Sequence, residues 1–145
     1  MLRFTDTRSR TWTIEPNVAT LARVRDLAGL DLYRLDEQDS LDRLRTDPYL
    51  LVDVLFAAVK PQADAAGMND EAFASSLGGD VLEAATACLL EAVTDFFPSR
   101  KAAVLRKALA KMRQTEDRMM TQIEAEVDRF DPEAVELPEP PGFGG

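Results

Sequence analysis

The chain has 145 residues and a mass of 16.0 kDa, long enough to bury one hydrophobic core, and its 46% hydrophobic content belongs to a folded globule. A net charge of −9 argues against binding to nucleic-acid phosphates or to an anionic membrane surface. The absence of histidine removes Ser-His-Asp and Cys-His catalysis and the usual zinc sites, and the single cysteine, Cys88, removes an intramolecular disulfide.

In chain order, residues 2–5 and 11–15 read as two short strands, Phe4, Trp12 and Ile14 alternating with polar neighbours across the turn-like link DTRSR. A lone hairpin is marginal in water, so the hairpin over 2–15 is expected to lay these three side chains on helices. Trp12 is read as a core aromatic, with a stacking platform for a base or sugar as the alternative. Asn17 is a predicted N-cap for a helix with Val18, Leu21, Val24, Leu27 and Ala28 inward, stopped at Gly29. Arg23 and Arg25 lie off that face and read as solvated.

Residues 30–35 read as a loop with a short turn, and residues 40–45 as a short helix carrying Leu41 and Leu44. The interval between them and around them holds Asp31, Asp36, Glu37, Asp39, Asp42 and Asp47, but it lacks the central glycine and closing glutamate of a calcium loop, so no metal site is expected. Asp47-Pro48 then opens a strong helix, a capping residue followed by proline at the first helical position. Its body, YLLVDVLFAAV, is apolar almost all round, with Asp53 expected to face solvent. Lys60-Pro61 is expected to break or kink it, leaving 62–66 as a separate short helix closed by Gly67. Asn69 caps a further short helix, DEAFASSL, with Ala72, Phe73 and Leu77 inward, and Gly78-Gly79 reads as a tight turn. The paired glycine lacks the Lys-Ser/Thr of a phosphate loop.

The stretch DVLEAATACLLEAVTDFFP, residues 80–98, carries the strongest combination of start, apolar body and stop signals. Asp80 and Glu83 have capping-box spacing, Ala85, Cys88, Leu89, Ala92 and Phe96 follow at helical spacing, and Pro98 ends the run. It is therefore the expected organising helix. Cys88 on its apolar face reads as a small buried hydrophobe, a reactive thiol being the alternative that would need a polar, electropositive setting.

Ser99 is the predicted cap of a last helix reaching to about residue 130. Its first half is basic, with Arg100, Lys101, Arg106, Lys107, Lys111 and Arg113 before any acid. Leu105, Leu109, Met112, Glu116, Met119, Ile123, Glu126 and Phe130 step by four and three, a heptad seam with two glutamates in it. A helix of this length should outrun the globule. Met112, Met119, Met120, Ile123, Val127 and Phe130 are then left without an obvious partner and form the candidate client and oligomer surface, since unbranched, polarizable methionines suit adaptable binding. Residues 131–145, DPEAVELPEPPGFGG, read as a disordered acidic tail rich in Pro and Gly. The expected fold is mainly α: an N-terminal β-hairpin on a small helical domain, with a long C-terminal helix, one domain over 1–130. No catalytic residue, metal ligand or cofactor is expected. The first residues, MLRFTDTRSR, lack a signal-peptide core, and no run reaches the roughly 20 apolar residues of a membrane span, so the expected location is cytoplasmic.

Three segments, RTWTIEPNVATLARVRDLAGLDL, DPYLLVDVLFAAVKPQADAAGMNDEAF and FFPSRKAAVLRKALAKM, resemble small tail assembly chaperones of tailed bacteriophages and prophages. Together they span residues 10–112 with gaps. The pattern is an order of elements and not a catalytic signature, and no defined active-site position is carried over. The resemblance implies a largely helical, non-enzymatic adaptor in the cytoplasm of the bacterial host. It would coat the long, aggregation-prone tape-measure protein, help tail-tube subunits assemble on it, and possess no nucleic-acid or membrane partner. A programmed frameshift adds a longer C-terminal form in many relatives. The alternative role is a structural tail or connector component.

Overall fold

The computed structural model describes residues 2–35 and 39–130. Among them the order of elements is β1 (Arg3–Thr5), β2 (Thr11–Thr13), α1 (Val18–Ala28), a 3-10 turn (Leu32–Arg34), α2 (Ser40–Thr46), α3 (Pro48–Ala65), α4 (Asp70–Ser75), α5 (Asp80–Phe96) and α6 (Ser99–Arg129). The fold is mainly α, with a two-stranded antiparallel hairpin at the N-terminus and a long C-terminal helix. The chain divides after Arg106 into two units, and the described part of the second is the remainder of α6 with Phe130. The tail 131–145, and Asp36 and Glu37 of the acidic interval, lie outside the described residues.

The hairpin pairs Phe4 with Trp12 across its two strands, and Phe4, Trp12 and Ile14 are all buried. Trp12 meets the ring of Phe73 edge-on at 5.2 Å, which makes it a core aromatic. The link residue Asp6 is not a plain turn residue. Its Oδ1 accepts the backbone N–H groups of Arg8 and Arg10, each at 2.9 Å, and its Oδ2 accepts the indole N–H of Trp12 at 3.0 Å. One buried carboxylate thus closes the loop and fixes the tryptophan. Gln62 completes the hairpin's other edge. Its side-chain amide accepts from Thr13 N–H at 3.0 Å and donates to Thr13 C=O at 2.6 Å, standing in for a neighbouring strand.

Helix starts follow the local chemistry. The side chains of Asn17, Asp47 and Asn69 accept backbone N–H groups in the first turns of α1, α3 and α4. Gly29 closes α1 at φ 72, a left-handed conformation that only glycine adopts cheaply. The expected capping box of α5 is corrected: Gly79, at φ 55 and ψ −130, occupies the cap position, and Asp80 is already helical. That backbone conformation excludes a side chain, so Asp80 and Glu83 instead put negative charge in the first turn, where the helix dipole favours it. At the other end Phe97 is extended, as a residue before proline must be.

The expected break at Pro61 does not occur, and α3 runs unbroken to Ala65. Proline has no N–H for the carbonyl of Ala57 four residues back. Arg23 of α1 supplies the donor: its Nε bonds Ala57 C=O at 2.8 Å and its guanidinium NH2 bonds Ala58 C=O at 2.9 Å. Arg23 is therefore not a solvated residue, whereas Arg25, beside Asp26 with both side chains open to water, is. Replacing Arg23 with Met should cost about 1.5–3 kcal/mol in urea unfolding, because two charge-assisted bonds vanish and the Ala57 carbonyl is orphaned. Lys, a single point donor, should recover only part of this.

The organising helix is α3, not α5. It packs against α1, α2, α4, α5 and β2, and Leu51, Val54, Leu55, Ala57, Ala58, Val59 and Ala63 are buried around its circumference. Helix α5 packs on β1 and α3, and Ala85, Cys88, Leu89, Ala92 and Val93 are buried along it. Val18 and Leu27, expected inward, are exposed, and so is Ala72, because α1 and α4 each turn only a narrow face to the core. Thr20, Leu21 and Val24 fill that face in α1, and Phe73 fills it in α4. Asp53 faces solvent as expected.

Candidate binding surface

Proline at 98 ends α5 and the chain re-enters helix at Ser99, one residue before the expected start. The first turns of α6 are held in the first unit. Ala102 and Leu105 are buried, the Lys101 ammonium lies 4.7 Å and 4.6 Å from the ring centres of Tyr33 and Phe97, and Arg106 reaches Asp95 at 3.4 Å. These basic side chains serve the fold.

From Lys107 onward the burial pattern changes. Leu109 and Met112 are half-buried, and every other described residue to Phe130 is exposed. Met119, Met120, Ile123, Val127 and Phe130 keep between 49% and 65% of their surface in water. At 3.6 residues per turn Met112, Met119, Ile123 and Phe130 share one face, and Met120 and Val127 border it. Glu116 and Glu126 interrupt the same face. The six residues singled out in the sequence thus lie along one side of one helix, with Phe130 just past its last helical residue. Large apolar side chains in such a row mark a contact surface more often than isolated ones do.

A second apolar surface was not legible in the sequence. Val18, Leu21, Ala22, Tyr33 and Phe96, with Arg25 and Asp31 as its charged members, line an open groove of about 290 Å³. It exists because Val18 turns outward and the 3-10 turn presents Tyr33 against Phe96, ring centres 6.3 Å apart.

Cys88 is buried on α5, and burial, with Glu91 adding to it, pushes its thiol up to about 11, so the nucleophilic thiolate is scarce at neutral pH. Among the described residues no three Cys, Asp or Glu side chains gather closely enough to hold a metal ion. Asp31 and Asp47 of the acidic interval are spent as caps, on Tyr33 N–H and on Tyr49 and Leu50 N–H. Among the described residues no helix is long and apolar enough to cross a membrane. No protein-family model, curated protein or solved structure shows a significant match to the chain.

Proposed function

We propose that the chain is a non-enzymatic assembly chaperone for the tail of a tailed bacteriophage or prophage, acting in the host cytoplasm on the tape-measure protein and helping tail-tube subunits assemble. The observation that carries this reading is the row of apolar side chains along α6 and Phe130 just past its end, half-buried at Met112 and exposed from Met119 onward. A holdase for a long apolar helical client needs exposed, adaptable apolar surface on a scaffold that folds without the client. Methionine at three of the six positions supplies the adaptability. The segment order around RTW, DP-initiated α3 and FFP supports the choice of phage tail assembly over other holdase roles.

Co-expression with the tape-measure protein of the same phage tests the proposal. The client is expected in the soluble fraction and to co-purify with the chain; a client that stays insoluble and unbound would refute it. Mass spectrometry of finished virions separates the assembly role from the structural alternative. A chaperone is expected to be missing from the particle, and a stoichiometric tail component would be found in it.

A further inference from the structure

We infer that the apolar face of α6 pairs with the same face of a second copy of this chain, the two helices running antiparallel about a two-fold axis near Arg118. The sign order of the charges carries this. Within the second unit, Lys107, Lys111 and Arg113 come before any acid, Glu116, Asp117 and Arg118 stand at the centre, and Glu124, Glu126 and Asp128 follow the methionine pair, with Arg129, level with Lys107 in this arrangement, the one base beyond them; all of these are exposed. Arg113 and Glu124 are 11 residues apart, so they stand on the same edge of the apolar row, about 20° apart around the helix. Lys111 flanks the other edge, the side toward which Glu126 stands in the seam.

In an antiparallel two-fold pair the same edge of each helix meets its copy. Arg113 then lies across from Glu124, and Lys111 across from Glu126, each contact made twice. The same register sets Met112 toward Ile123 and Glu116 toward Met119, so neither seam glutamate meets its own copy. A parallel pair in register does the reverse. It brings opposite edges together at one level, so Lys111 lies toward Arg113 of the copy and Glu124 toward Glu126, and it sets Glu116 and Glu126 each against itself inside the seam. Flanking charges choose orientation in helix pairs, and like charges in the seam are costly. Self-complementarity of this kind is a property a foreign partner would not require. The glutamates keep the pair weak, so a client helix could displace the second copy.

The test uses the full chain. Sedimentation equilibrium should show a reversible dimer. The variant Lys111→Glu with Arg113→Glu, and separately Glu124→Lys with Glu126→Lys, should each dimerise about tenfold or more weakly, with unchanged helix content. An equimolar mixture of the two should recover dimerisation, since every reversed charge then meets its opposite. Orientation is read by cysteine cross-linking, with Cys88 buried and out of reach. Lys111→Cys and Glu126→Cys chains should cross-link when mixed and not when alone. Self-cross-linking of either variant, failure of the mixture to recover, or a wild-type chain monomeric at about 100 μM would overturn the proposal. The tape-measure reading stands or falls separately, on client solubilisation.

Discussion

Truncating Phe73 to Ala is expected to cost about 3–5 kcal/mol, a large part of the stability of a domain of this size. Phe73 is the one buried apolar residue of α4, and α4 is only six residues long, far too short to stand as a helix alone. The ring is fully buried between Trp12 of the hairpin, edge-on at 5.2 Å, and Phe56 of α3 at 5.5 Å. It joins the short helix to both the strand and the central helix. The bond from Thr7 N–H to Ser76 C=O, at 3.0 Å, ties the hairpin loop to the end of the same helix. Removing the ring opens a cavity beside Trp12 that neither a buried indole nor a helix with its own ladder can close. Urea unfolding followed by tryptophan fluorescence measures both the midpoint and the environment of Trp12. A loss under about 1 kcal/mol would mean that α4 is not anchored as described.

Asp6 carries the second large effect. Asp6→Ala is expected to cost about 2–4 kcal/mol, because the buried indole N–H of Trp12 and the loop amides of Arg8 and Arg10 lose a charged acceptor together. Asp6→Asn should cost less but still be felt, since its NH2 group must face either the indole N–H or the two amides. Desolvation pushes the Asp6 carboxyl up, but the bonds from Arg10 N–H, the indole of Trp12 and Arg8 N–H, with the Arg10 charge, outweigh it and hold the group below the ordinary carboxylate value. The folded value is thus the depressed one. The stability Asp6 contributes is complete above the unfolded value of about 4 and is lost as pH falls from there through the folded value. Comparing wild type with Asp6→Asn between about pH 6 and pH 2.5 should show the difference in stability shrinking below about pH 4. A difference independent of pH would mean that the carboxylate is not what holds the loop.

What the sequence revealed and what it hid divide by range. Asn17, Asp47, Asn69 and Gly29 act on backbone groups within a few residues, so their roles are written in the local order, and the structure places each where that order puts it. The alternation of Phe4, Trp12 and Ile14 was readable for the same reason. Arg23 was not. Its partner carbonyls stand 34 and 35 residues away, and only the packing of α1 on α3 brings the guanidinium to the gap left by Pro61. Gln62 reaches Thr13 across 49 residues. Asp6 is a further kind of miss: a charged residue in a polar link is ordinarily solvated, and its burial follows from the indole it holds. The groove beside Tyr33 and Phe96 stayed hidden because helical periodicity marks Val18 as apolar without saying which side the core is on. The row on α6 was legible because it needs no tertiary partner to define it.

The central claim is that α6 beyond Met112 presents a binding face which the fold itself does not require. Replacing Met119 and Ile123 together with Ser tests it most directly, by co-purification of the tape-measure protein with variant and wild-type chains at matched expression. Both side chains are about half exposed, so thermal unfolding of the variant should stay close to wild type, while the co-purified client should fall by at least about tenfold for the loss of two apolar contacts. A variant that folds and still brings down as much client as wild type would contradict the account and move the binding face elsewhere on the molecule.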